Sequence, residues 1–177
     1  MADGSDAIDL SLDELRAVTG WAVDCTRPAL VIFERIRSDD PRARNALDVA
    51  KEFAEGARRT KALRDAAWDA HRAAQAARDA NQQAAHEAAR AAGHAAGAAF
   101  LHPLARATQV RHILGAAAQT VRAIEVDAAD RAAADFIERV VSGAPPVVVD
   151  VLRRYPTAPA GGGRVSELIQ LLDAALR

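Results

Sequence analysis

Residues 86–115 read HEAARAAGHAAGAAFLHPLARATQVRHILG, and this stretch decides the fold. Alanine recurs throughout it, and no valine or isoleucine alternation suggests a strand. The spacing predicts two helices meeting at His102-Pro103, because the residue before a proline disfavours helical geometry and a proline suits a first helical turn. The second helix buries Leu104, Val110, Ile113 or Leu114, Ala117, Val121 and Ile124 along one side. Gly93 and Gly97, with Ala89 and Ala96, give the first helix a thin face. A mid-helix glycine costs about 0.8–1.0 kcal/mol relative to alanine, so a closely approaching neighbour backbone is expected there, with Gly115–Ala118 as the matching face.

The same stretch begins one residue short of a zinc-protease motif. HExxH places two histidines one helical turn apart and uses the glutamate as base. Here His86 and Glu87 are followed by Arg90 where the second histidine belongs, and a guanidinium cannot ligate zinc. His86, Arg90 and His94 fall along one helix face, and His102 and His112 follow, but no carboxylate has a ligand spacing to them. The histidines therefore read first as helix-surface or helix-interface residues.

Outward from this centre the periodicity remains helical. Ser11 and Glu14 have capping-box spacing, and Ala22, Cys25, Ala29, Phe33 and Ile36 share a face, with Gly20 and Pro28 expected to interrupt or kink the region. Asp40-Pro41 opens a second helix carrying Leu47, Ala50 and Phe53 and ending near Gly56. A third runs through RRTKALRDAAWDAHRAAQAARDA. Asp65 and Asp69 bracket Trp68 on it and read as a solvated charge network with Arg64 and Arg72. DAADRAAADFIERVV is a further helix, closed by Gly143 and Pro145-Pro146. PPVVVDVLRRYP reads as helix because no second strand is available to pair with it. TAPAGGGR is a linker, lacking the lysine and hydroxyl of a phosphate loop, and VSELIQLLDAALR ends the chain with Val165, Leu168, Leu171, Leu172 and Leu176 on its apolar side, expected to dock on its own chain. The fold class is all-α: a compact multi-helix bundle over residues 10–142 with a C-terminal helical appendage over 143–177.

Composition agrees. Half of the 177 residues are hydrophobic and 27% are charged, a globular balance. Alanine is roughly a quarter of the chain, a strong bias to helix that leaves large anchors scarce; Trp21, Trp68, Phe33, Phe53 and Phe136 are the candidates. Cys25 is the single cysteine, read as an inert thiol on a buried stripe. The N-terminus, with Asp3, Asp6, Asp9, Asp13 and Glu14, lacks the basic and apolar regions of a signal peptide, and no apolar run is long enough to span a bilayer, so a cytoplasmic location is expected.

The net charge of −1 argues against nucleic acid as the main partner. Charge is nevertheless uneven: between Glu87 and Glu125 there is no acid, while Arg90, Arg106, Arg111 and Arg122 add positive charge. The surface around Arg90, His94, Arg106, Arg111 and His112 is the candidate partner-binding site, suited to an acidic protein surface.

Trp21, Asp24 and Cys25, the DDPRAR turn at 39–44, Gly93-His94, and His112 with Gly115 give residues 12–130 a pattern that resembles the Imm-5-like family of putative bacterial immunity proteins. The segment FLHPLARATQV and the tail from Ala144 onward are additions to that pattern. The resemblance implies a small all-helical bacterial protein that neutralises a toxin by direct contact. The expectation is thus a non-enzymatic binding protein whose partner is a toxin or other protein, with no cofactor. Two other classes stand beside it: a nucleic-acid-associated protein using the locally basic segment, and a metal-dependent helical enzyme drawing on His71, His86, His94, His102 and His112 with Asp69 or Glu87.

Overall fold

The computed structural model describes residues 7–128 and 130–177; Asp3 and Asp6 of the acidic N-terminus lie outside them. Eight α-helices are present among the described residues: α1 Leu12–Ile36, α2 Arg42–Ala54, α3 Lys61–Asp79, α4 Gln83–Ala98, α5 Val110–Asp127, α6 Asp130–Ser142, α7 Pro146–Arg153 and α8 Arg164–Leu176. Extended pairing among those residues is limited to an isolated bridge between Ala7 and Leu104, beside which Ile8 N donates to Pro103 O at 3.0 Å.

α4 is the axis. It packs against α1, α2, α3 and α5, which requires a helix that is apolar nearly all round and thin. Ala85, Ala88, Ala89, Ala91, Ala92, Ala95, Ala96 and Ala98 are all buried. Such a rod contributes little apolar area of its own, so the large side chains of its neighbours fill the corners: Phe33 from α1, Phe53 from α2, Leu63 from α3, and Ile113 and Leu114 from α5. Each full burial of that kind is worth about 1.5–3 kcal/mol.

Local chemistry sets the helix ends. Ser11 Oγ accepts from Glu14 N at 3.2 Å while Ser11 N donates to Glu14 at 2.8 Å, so the capping box opens α1 as expected. Asp40 Oδ1 accepts from Arg42 N at 3.2 Å and opens α2. The α3–α4 turn is a Schellman closure: Asn81 takes φ +56°, Asn81 N donates to Arg78 O, and Gln82 N donates to Ala77 O, both at 2.9 Å. This turn folds α4 back along α3 and so brings the two helices' faces together.

Three expectations need correction. Pro28 and Gly20 do not interrupt α1, which runs unbroken on both sides of them. Val18, Ala22, Cys25, Ala29 and Phe33 form one buried stripe spanning the proline, and their combined burial exceeds the roughly 3 kcal/mol cost of an internal proline. The helix after His102-Pro103 does not begin there: residues 99–106 form a loop, a 3-10 turn follows at Ala107–Gln109, and α5 starts at Val110. Bonds from Leu104 N to His102 O and from Arg106 N to Leu104 O hold the loop tight, leaving Leu104 exposed. Trp68 is 60% exposed, whereas Trp21, Phe33, Phe53 and Phe136 are buried.

The C-terminal segment folds onto the bundle, α7 against α1 and α8 against α5 and α6. Leu168, Ile169, Leu172 and Leu176 are buried while Leu171 faces outward. Buried Asp173 accepts from Ala158 N at 2.8 Å and from Arg177 Nε at 2.7 Å, and Tyr155 Oη donates to His102 O at 2.8 Å. The last of these ties the segment to the loop beside the histidines. No described helix is long and apolar enough to cross a membrane.

Candidate functional site

Three helices and one loop enclose a cavity of about 420 Å³. From α3 come Arg64, Ala67, Trp68 and His71, three to four residues apart and so on one face. From α4 come Gly93, His94 and Gly97, continued by Phe100 and His102 of the loop, and Thr108, Arg111 and His112 close the far wall. Arg64 and Arg59 lie over the Phe100 ring at 5.1 and 5.7 Å from its centroid. No carboxylate lines the cavity.

The glycines serve the histidines. A Cβ on Gly93 would lie 2.8 Å from the His71 ring, and one on Gly115 would lie 3.0 Å from the His94 ring. Close approach was expected of a neighbouring backbone; the groups that approach are imidazoles. Gly97 faces open space, with nothing within 4 Å of its Cβ position, and its carbonyl accepts from His112 Nδ1 at 3.0 Å. The His71 and His94 rings meet edge to face at 5.9 Å, and Trp68 stacks the same way on His71 at 5.9 Å.

Three of the four cavity histidines, His71, His94 and His112, are neutral at pH 7. Burial pushes His94 down to about 3, helped by His71, Arg90, Arg111 and His112 around it. Burial and then Arg90 lower His71. Burial also lowers His112, with His102 and Arg111 adding to it and the Gly97 bond opposing. Because a carbonyl only accepts, His112 carries its proton on Nδ1 and keeps Nε2 as an acceptor. Among the described residues, the histidine rings held by the protein are His112 and His86, whose Nδ1 bonds Ala74 O at 2.8 Å. Those of His71 and His94 border the cavity without such a bond.

Toward the start of α4 a polar chain runs from exposed Gln83 into the core and out to half-buried Arg90. Gln83 donates to Glu87 at 2.7 Å; with the Gln119 amide turned to the orientation its neighbours require, its nitrogen donates to Glu87 at 2.7 Å and its oxygen accepts from Arg90 Nε at 2.9 Å. Glu87 and Gln119 are buried. Arg90 is therefore held inward by α5, and its fixed charge helps keep His71 and His94 neutral.

The expected surface is brought together in part. His94, Arg111 and His112 line the cavity. Arg90 stands behind its wall in the buried chain, and Arg106 is exposed on the loop outside the lining. Sequence reasoning missed Arg64, Trp68 and Phe100 as site residues and placed His71 only among possible metal ligands. The available signal was Trp68 and His71 at i, i+3. Among the described residues no group of three or more His, Cys, Asp or Glu is placed to hold a metal ion. His86 and Glu87, the remnant of the zinc motif, are engaged with Ala74, Gln83 and Gln119. Asp65 and Asp69 pair with Lys61 and Arg72, a solvated charge network, although Arg64 turns to Phe100 instead. Cys25 is buried, and burial followed by the neighbouring Asp24 raises its thiol to about 12, which leaves it inert.

Elements that carried the family resemblance recur in this geometry. Gly93-His94 and His112 with Gly115 converge on the cavity from separate helices. Trp21, Asp24 and Cys25 line a separate, shallower groove of about 270 Å³ with Phe136 and Pro145. A family model described as "Imm-5 like putative immunity protein" matches residues 9–144, ending where α7 and α8 have yet to begin. No curated protein and no solved structure gives a significant match to the chain. With most of its length matched, the chain belongs to the Imm-5-like family of putative immunity proteins.

Proposed function

We propose that this chain neutralises a bacterial toxin by direct, non-catalytic protein contact, centred on the mouth of the histidine cavity. Membership of an immunity family supports a protein partner. The observation that carries the choice of surface is the mouth itself: exposed Trp68 shares the lining with the cationic side chains of Arg64 and Arg111, and no acid is part of it. Tryptophan and arginine are the side chains that most often dominate binding energy at protein interfaces. A positive rim attracts an acidic surface and speeds its encounter.

His94 and His112 form the recessed floor of this surface. Arg106, exposed on the loop outside the lining, adds long-range attraction, and Arg90 acts from behind by adding to the burial that keeps His94 neutral. The test is neutralisation of the toxin encoded beside this gene. Co-expression restores growth, and the purified proteins form a stoichiometric complex that leaves the toxin chemically intact. Cleavage or modification of the toxin by substoichiometric amounts of the chain would contradict a non-catalytic role.

A further inference from the structure

Resting on that reading, we propose that the cavity between α3, α4 and α5 is a carboxylate pocket that takes one acidic side chain of the partner, an aspartate or glutamate. Two arginines, Arg64 and Arg111, stand at its mouth, and two imidazoles, His71 and His94, border its interior without a protein hydrogen bond among the described residues. A neutral imidazole always has one N–H to donate, so each ring offers a donor to an entering anion. The apolar surfaces of Trp68 and Phe100 complete the lining and suit the methylene stem of an acidic side chain. At about 420 Å³ the space is that of a side-chain or small-ligand site, not of a helix or a duplex.

Charge selects the occupant. The groups facing the two rings are Arg64 from α3, Arg90 from α4, His102 from the loop, and Arg111 and His112 from α5, none of them acidic. A cation entering would meet only cations and neutral rings. A neutral side chain would leave the mouth arginines without a counter-charge. The glycines match this assignment: Gly93 and Gly115 provide the space that the two rings occupy, and Gly97 leaves open volume beside them. A nucleic-acid backbone fits less well, since two arginines at one recessed mouth do not form the extended basic face that a run of phosphates requires.

The experiment titrates the full chain with phenylacetate and its near-isosteres phenylacetamide, phenethylamine and phenyl phosphate, by calorimetry and by NMR of the histidine rings. Phenylacetate is expected to saturate with a dissociation constant on the order of 1 mM, the scale of a good small fragment. It should shift the His71 and His94 resonances and bind at least about tenfold more tightly than the amide or the amine, since a hydrogen bond to a charged group is worth that much or more. The Arg64→Gln/Arg111→Gln double variant, changed at two exposed positions, should keep its melting temperature and lose about tenfold in phenylacetate affinity. Equal binding of acid and amide, no binding of the acid, preference for phenyl phosphate, or an unaffected double variant would each overturn the proposal. Toxin neutralisation reads the immunity function separately. A chain that protects cells yet ignores phenylacetate loses the pocket and keeps the function.

Discussion

His86 and His94 lie two turns apart on α4, and they have opposite fates. At His86 the helix is bonded to its neighbours: Ala74 O takes the ring's Nδ1, and next to it Glu87, Gln119 and Arg90 exchange bonds. At His94 the helix carries glycines, the ring packs against Gly115 and His71, and the space beyond is a cavity with cationic residues at its mouth. One half of α4 spends its polar groups on holding helices together. The other keeps them facing a void. Buried polar groups whose bonds are complete specify structure, whereas partly met ones beside open volume are left free to bond water or a ligand.

The comparison breaks first at Glu87. Glu87→Ala removes the acceptor shared by Gln83 and Gln119, and with it the partner that orients the buried Gln119 amide toward Arg90. A loss of roughly 2–3 kcal/mol in unfolding free energy is expected, the cost of leaving a buried amide unpaired and losing bonds to a charged acceptor. Urea denaturation measures it, and a loss below about 1 kcal/mol would show that the chain of bonds is not structural.

Acidification sharpens the contrast at His94. Its folded pKa lies below the unfolded value, at about 3 against 6.5, so the unfolded chain binds more protons between those values and stability falls as pH drops through that window. From His94 alone the loss should reach about 2 kcal/mol by pH 5. His71 and His112, also lowered, act in the same direction. Melting curves at several pH values test this, and His94→Gln should flatten the slope between pH 6.5 and 5; an unchanged slope would place the titration elsewhere.

The glycines give the smallest effects and a difference in sign. Gly93→Ala puts a methyl 2.8 Å from the His71 ring and should destabilise by about 1 kcal/mol. Gly97→Ala meets nothing within 4 Å and gains helix propensity near the end of α4, so a stabilisation of about 0.5 kcal/mol is expected. Paired thermal melts decide it. Equal shifts of the same sign would mean that His71 does not depend on the room Gly93 leaves.

The helices were legible because the apolar periodicity is strong and its punctuation is chemical: Ser11 with Glu14, Asp40 before Pro41, Gly143 before the paired prolines. The exposure of Trp68 was also present in the pattern. It lies five residues past Leu63, roughly 140° around the helix from the stripe that Leu63, Ala70, Ala74 and Ala77 bury. A general preference for burying large aromatics overrode that local geometry. Periodicity could not show which helix each histidine would meet. His71 and His94 are joined by the α3–α4 turn at Asn81, and His94 reaches Gly115 only because the loop before α5 returns the chain across α4. Arg90 and Arg111 shared an acid-free segment, yet one is held inward by Gln119 and the other stands at the mouth. Helix spacing places a side chain on its own helix and does not orient two helices against each other.

The most direct test of the account is the binding of toxin by the Arg64→Glu/Arg111→Glu double variant, with helicity and melting first shown to match the unsubstituted chain. A toxin docked over the cavity mouth should associate more slowly and bind at least about tenfold more weakly, because both reversed charges face its acidic surface. An unchanged association rate and affinity would contradict the account and move the interface to another face of the bundle.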